Sequence, residues 1–111
     1  MAITSLETDY LVIGGGAMGL AFTDTILSET DADIIVVDQN AKPGGHWNHA
    51  YPFVTLHQPS SFYGVSSKEL SRGQRDQVGL NKGMGDLASG NEVLAYYEQV
   101  MNHTFLPSGR V

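Results

Sequence analysis

Cysteine is absent from the 111 residues, which removes disulfide frameworks, thiolate metal sites and thiol catalysis together. Basic residues are missing from the front: the first 40 residues hold seven Asp and Glu and no Lys or Arg, and the whole chain carries a formal net charge of −6. That sign opposes nucleic-acid phosphates and anionic headgroups, so neither nucleic acid nor a membrane surface is an expected partner. Long apolar runs are lacking too. The most apolar stretch, residues 10–22, is broken by glycines and falls short of the ~20 apolar residues that span a bilayer. The opening residues lack the basic patch of a secretory signal, so a cytoplasmic location is the expectation.

What is present fits one domain. The chain is 41% hydrophobic and 16% charged, in the range of a globular fold able to bury a core. Its organising stretch runs from Asp9 to Asp38. An apolar run, Tyr10-Leu11-Val12-Ile13, leads into Gly14-Gly15-Gly16-Ala17-Met18-Gly19. A helical stretch follows over residues 17–28, with Met18, Ala21, Phe22, Thr25 and Ile26 spaced as a buried stripe. A second apolar run, Ile34-Ile35-Val36-Val37, then closes on Asp38. Continuous apolar strands of this kind belong to a parallel sheet covered on both faces.

Within that βαβ unit lies G-x-G-x-x-G, with Gly14, Gly16 and Gly19 in the glycine positions. Gly14 permits a sharp turn out of the strand. Gly16 lets backbone approach a pyrophosphate, and Gly19 lets the helix lie close on the sheet. The first N–H groups of the helix, at Ala17 and Met18, have no intrahelical acceptor and attract phosphate. Asp38 follows Gly19 by 19 positions, and a carboxylate there accepts the hydroxyls of a ribose while repelling a 2′-phosphate. The pattern therefore points to FAD or NAD rather than NADP. An ordinary βαβ unit with a solvated Asp is the plain alternative.

After Asp38 the texture changes. Residues 39–90 contain eight of the glycines and little sustained periodicity beyond a strand-like patch at 53–56, and a loop of such length is usually functional. Residues 39–65, rich in aromatics, His and Pro, read as ligand-facing; residues 66–88, with Lys68, Arg72, Arg75 and Lys82, read as a surface excursion. A second helix is expected from Ser89, which stands three residues before Glu92 in a capping box, to about Phe105. Val93, Leu94, Tyr97, Val100 and Met101 form its apolar stripe. The chain closes on a turn, Arg110 and Val111. Two parallel strands bury too little for a free-standing sheet, so residues 1–111 are expected to be a partial Rossmann-like α/β domain, continued beyond Val111.

A second motif follows: Lys42-Pro43-Gly44-Gly45-His46-Trp47. The fingerprint, the acid after strand two and this P-G-G-x-W together resemble the N-terminal FAD-binding segment of the flavin-containing and Baeyer–Villiger monooxygenases, flavoproteins with two dinucleotide-binding domains. The resemblance implies FAD as cofactor and NAD(P)H as electron donor. It places Gly14, Gly16, Ala17, Met18 and Gly19 at the pyrophosphate and Asp38 with Gln39 at the adenosine ribose. Gly45, His46 and Trp47 would run toward the flavin, with His57 and Gln58 on a loop near the ring. His46 stands where those relatives usually carry Thr or Ser. A metal site built from His46, His49 and His57 is not expected, because their spacing fits no usual zinc pattern. No residue is assigned a chemical step, and the substrate is left open. An NAD-binding dehydrogenase domain and a non-catalytic dinucleotide-binding module are the competing readings.

Overall fold

The computed structural model describes residues 5–51, 54–56, 60, 63–70 and 85–111. Strand β1, Tyr10–Ile13, pairs in parallel with β2, Ile34–Val37, in the register Tyr10 to Ile34 and Ile13 to Val37. Helix α1, Ala17–Glu29, connects them and extends one residue past the expected end. This is the anticipated α/β unit. Its two strands, however, are not covered on both faces. Side chains alternate along a strand, and Val12 is buried whereas Leu11 and Ile13 are 59% and 75% exposed. Among the described residues the parallel sheet has two strands, and the elements packed on it cover one face.

The buried face of α1 also differs from the expected stripe. Met18 is 84% exposed and Phe22 43%, while Leu20, Thr23 and Asp24 face inward. The rotation has a polar cause. Thr23 returns its hydroxyl to the Gly19 carbonyl at 2.8 Å. The Asp24 carboxylate, 2% exposed, accepts from the Ser67 N–H at 3.0 Å and from the Ser67 hydroxyl. Polar groups with such partners can be buried, so a stripe sought among apolar residues alone selects the wrong side.

The described residues between 39 and 90 form short elements rather than a plain loop. A 3-10 turn spans Gly45–His49, and a hairpin joins β3, Gly64–Val65, to β4, Lys68–Glu69, in antiparallel pairing. Residues 54–56 and Ser60 lie alongside 86–90: Leu56 N–H donates to the Ala88 carbonyl at 3.0 Å, Ser60 N–H to the Asp86 carbonyl at 2.8 Å and Gly90 N–H to the Val54 carbonyl at 2.9 Å. These pieces are too short to leave a periodic signature. Of the strand-like patch, Phe53 lies outside the described residues, as do Arg72, Arg75 and Lys82.

Helix α2, Gly90–Val100, carries the predicted capping box, with Ser89 Oγ accepting from the Glu92 N–H at 3.2 Å and Ser89 N–H donating to Glu92 Oε1 at 3.3 Å. A widened π turn, Met101–Phe105, prolongs it to the expected end, and Leu106–Ser108 with left-handed Gly109 completes the turn. The core lies between α1, α2 and the β3–β4 hairpin, with Leu20, Trp47, Val93, Tyr97, Val100 and Phe105 in it. Tyr96 ties the hairpin to α2: its hydroxyl oxygen accepts from the Val65 N–H at 2.7 Å and its O–H donates to the Lys68 carbonyl. Burial pushes the Tyr96 hydroxyl above its ordinary value and does the same, more strongly, to Tyr97, where Tyr63 adds to it. Both serve as neutral hydrogen-bonding groups. Among the described residues no helix is long and apolar enough to cross a membrane.

Arg110 closes the far end of the unit. Its guanidinium donates to the carbonyls of Leu27 at 2.8 Å, Thr30 at 2.7 Å and Ala32 at 3.3 Å, while its own carbonyl accepts from the Ile34 N–H at 2.6 Å. The last carbonyls of a helix are unpaired and negative, so a cation there stabilises it. Arg110→Ala should cost about 1.5–3 kcal/mol in urea unfolding, the range of one charge-assisted hydrogen bond, since the site is partly exposed. Arg110→Lys should recover only part, because an ammonium cannot reproduce the planar fork. An unchanged midpoint in the alanine variant would remove Arg110 from this role.

Candidate functional site

The connection from β1 to α1 turns at Gly14, which has φ +104° and donates its N–H to the Val37 carbonyl at 2.7 Å. Helix α1 then lies so close that a Cβ on Gly19 would sit 2.0 Å from the Gly14 carbonyl oxygen and 3.2 Å from Val12 Cγ1. The helix N-terminus, with Ala17 and Met18 in its first turn, has no side-chain cap and no acid. Its leading N–H groups and the positive end of its dipole are thus offered to an outside acceptor.

Asp38 stands where β2 ends. One carboxylate oxygen accepts the Gly15 N–H at 2.8 Å; the other accepts the Asn40 N–H at 2.9 Å, with Asn40 Nδ2 at 3.4 Å. The Asn40 N–H is the main reason that the carboxyl is held below its ordinary value; burial opposes this, and the N–H groups of Gly15 and Gln39 add to it. An ionised acid beside the glycine turn is therefore built into the fold, with lone pairs left for further donors.

The Pro43-Gly44-Gly45 loop folds onto the glycine turn. Gly44 N–H donates to the Gly15 carbonyl at 2.8 Å, and a Cβ on Gly45 would come within 2.9 Å of Gly16 Cα. The two glycine-rich loops interlock. Between them opens a cleft of about 380 Å³, with Gly14, Gly15 and Gly16 on one side, Asp38, Gln39 and Asn40 at the end of β2, and Gly45, His46 and His49 on the third side. A second, largely apolar cleft of about 410 Å³ lies beyond Asp38, lined by Ile35, Val36, Pro43, Met101 and Leu106 among others, with Lys42 at its side.

The fold thus brings Gly14, Gly16, Asp38, Gln39, Gly45 and His46 to one cleft, with Ala17, Met18 and Gly19 in the helix that starts beside it. Trp47 is placed elsewhere. Its indole is buried in the core, stacked on His46 at 5.4 Å and edge-on to Tyr63, to whose hydroxyl Nε1 donates at 3.0 Å. A large ring whose N–H finds a partner gains more by burial than at an open wall, so Trp47 backs His46 rather than lining the cleft. His57 and Gln58 lie outside the described residues. Gly15, Asn40 and His49 belong to the cleft although the fingerprint does not single them out. Asn40 had a local signal, since an Asp followed two residues later by a free N–H forms a side-chain turn. His49 had none. Among the described residues no three His, Cys, Asp or Glu side chains gather as metal ligands.

Comparison with known proteins agrees with this geometry. Residues 12–62 match the NAD(P)-binding Rossmann-like domain family. Uncharacterized proteins of Mycobacterium bovis and of two Mycobacterium tuberculosis strains are each 52% identical over 107 residues, or 96% of this chain. The chain spans about a fifth of their length (20%). Among solved structures, a flavin-containing monooxygenase from Stenotrophomonas maltophilia and a double mutant of it superpose with a TM-score of 0.64 at 28% identity, over 85% of this chain and 25% of theirs. In fold and fingerprint alike, the chain is a Rossmann-like α/β segment similar over residues 12–62 to NAD(P)-binding domains and over most of its length to a flavin monooxygenase.

Proposed function

We propose that this chain binds FAD and forms the FAD-binding portion of a flavin-dependent oxidoreductase of monooxygenase type, which draws electrons from NAD(P)H in the cytoplasm. The observation that carries the reading is the interlock of the Gly14–Gly16 turn with the Gly44–Gly45 loop around one cleft. A single glycine turn suffices for NAD; the second loop extends the backbone wall past the pyrophosphate. The residues fit the group. Uncapped N–H groups of α1 suit the pyrophosphate, the ionised Asp38 suits the ribose hydroxyls, and the adjoining apolar cleft has the character a purine ring needs.

FAD supplies the electron transfer when bound. The chain's own work is to bind and orient: Gly19 sets the helix against the sheet, Asp38 holds the turn, and Gly45 with His46 forms the facing wall. His57 and Gln58 are proposed to approach the ring edge.

The matched family model, described as NAD(P)-binding, favours one second reading, an NAD site. Separate titrations with FAD and NAD, read as protection against thermal unfolding, distinguish the two. Ligand at a hundredfold its Kd adds about 2.7 kcal/mol to stability, so FAD is expected to raise the melting temperature clearly and NAD little. Protection by NAD alone would replace the flavin reading.

A further inference from the structure

Among the described residues that line the glycine cleft, only His46 and His49 can carry positive charge; the others are glycines, Gln39, Asn40 and the acid Asp38. A pyrophosphate there would meet backbone N–H groups and those two rings. The histidines are held differently. His46 is stacked on the Trp47 indole. His49 is tied into a chain that ends on Asp38: its Nε2 lies 3.0 Å from Asn40 Oδ1, and Asn40 donates to Asp38 Oδ1 through its backbone N–H at 2.9 Å and through Nδ2 at 3.4 Å.

Atom chemistry assigns the protons along this chain. The ionised Asp38 carboxylate only accepts, so Asn40 turns its NH2 toward it and its oxygen toward His49. His49 must then donate from Nε2. Nδ1 is left as the acceptor atom of the neutral ring.

We propose that His49 is a proton-linked phosphate contact of the dinucleotide cleft, taking up a proton at Nδ1 as the cofactor binds while Asn40 and Asp38 hold the ring as an Nε2 donor. The proposal rests on the FAD reading above. The ring is linked through Asn40 to the negative Asp38, and His46 lies on the same turn. On α2, packed against this turn, the nearest acid in sequence to the contact is Glu92, which is hydrogen-bonded at the helix cap. A bound pyrophosphate adds negative charge that does not itself titrate near neutrality, so it shifts the balance toward the imidazolium. His49 is a binding residue and Asn40 a positioning residue.

Calorimetric titration of FAD into the full chain, near neutral pH and in buffers of different ionisation enthalpy, tests this. Net proton uptake is expected, with Kd about fivefold tighter near pH ~6 than near pH ~8, the size of one partly exposed ion pair. His49→Gln should abolish the uptake and flatten the pH profile, and Asn40→Leu should reduce the uptake. His103→Gln, at a residue in the lining of neither cleft, should keep both. FAD binding with no proton uptake, uptake that survives His49→Gln, or uptake lost instead in His46→Gln would each overturn the proposal while leaving the FAD reading intact. Failure to bind FAD at any pH would remove both.

Discussion

Gly19→Ala is expected to destabilise the protein by about 3 kcal/mol or more and to abolish dinucleotide binding. The new Cβ would lie 2.0 Å from the Gly14 carbonyl oxygen. That obstacle is backbone, on the turn that also pairs with Val37, so no rotamer change relieves it. Relief requires α1 to move off the sheet, which belongs to the severe end of overpacking, where costs of ~1–3 kcal/mol are typical and larger ones occur. Moving the helix also re-aims its leading N–H groups, so affinity falls with stability. Gly14→Ala makes the contrast. A Cβ there meets nothing within 4 Å, but φ is +104°, and the cost should be the ~1–3 kcal/mol of backbone strain alone. Thermal melts of the two variants, with and without FAD, check the order. A Gly19→Ala protein that melts with the parent would show that the helix does not depend on this close approach.

The second large effect is expected at Asp38. Asp38→Asn keeps the shape but offers an NH2 where one of the two backbone donors, Gly15 N–H or Asn40 N–H, now finds an acceptor. It also removes the charge that suits ribose hydroxyls. Hydrogen bonds to a charged group contribute about 1.5–3 kcal/mol each, so FAD affinity should fall roughly 10- to 100-fold. The acid has a pH signature as well. Its folded value lies below its ordinary one, mainly through the Asn40 N–H. The stability it confers is therefore present in full above the unfolded carboxylate value of about 3.9 and is lost as pH falls through the lowered folded value. Urea unfolding should accordingly separate parent from Asp38→Asn at neutral pH, with the gap closing below about pH 4. A gap that persists or widens in acid would mean that the carboxylate's charge is not what stabilises the turn.

Several parts of the architecture were legible before any coordinates. The parallel pairing of residues 10–13 with 34–37 followed from two apolar runs flanking a helix-length segment. The start of α2 followed from Ser89 and Glu92. These are local signals, carried by spacing or by side chains that reach a few residues along the backbone. The hairpin of β3 and β4 was not legible, because each strand is two residues long. Its position depends on Tyr96, 31 residues along from Val65, and on Asp24, 43 residues before Ser67. The exposed faces of Leu11 and Ile13 likewise depend on which elements cover the sheet.

Spacing by itself determined the Asp9–Asp38 unit: the turn at Gly14, the close approach at Gly19 and the acid at the end of β2 are demanded by backbone geometry over short distances. Tertiary structure decided the rest. It turned Asp24 inward because Ser67 was there to pair with it. It buried Trp47, whose indole N–H had Tyr63 to donate to. It also brought Gly45 against Gly16 and linked His49 through Asn40 to Asp38, converting a glycine fingerprint into a walled cleft. A partner supplied from a distant part of the chain sets the free energy of burying a polar group, and spacing along one strand or helix carries no record of it.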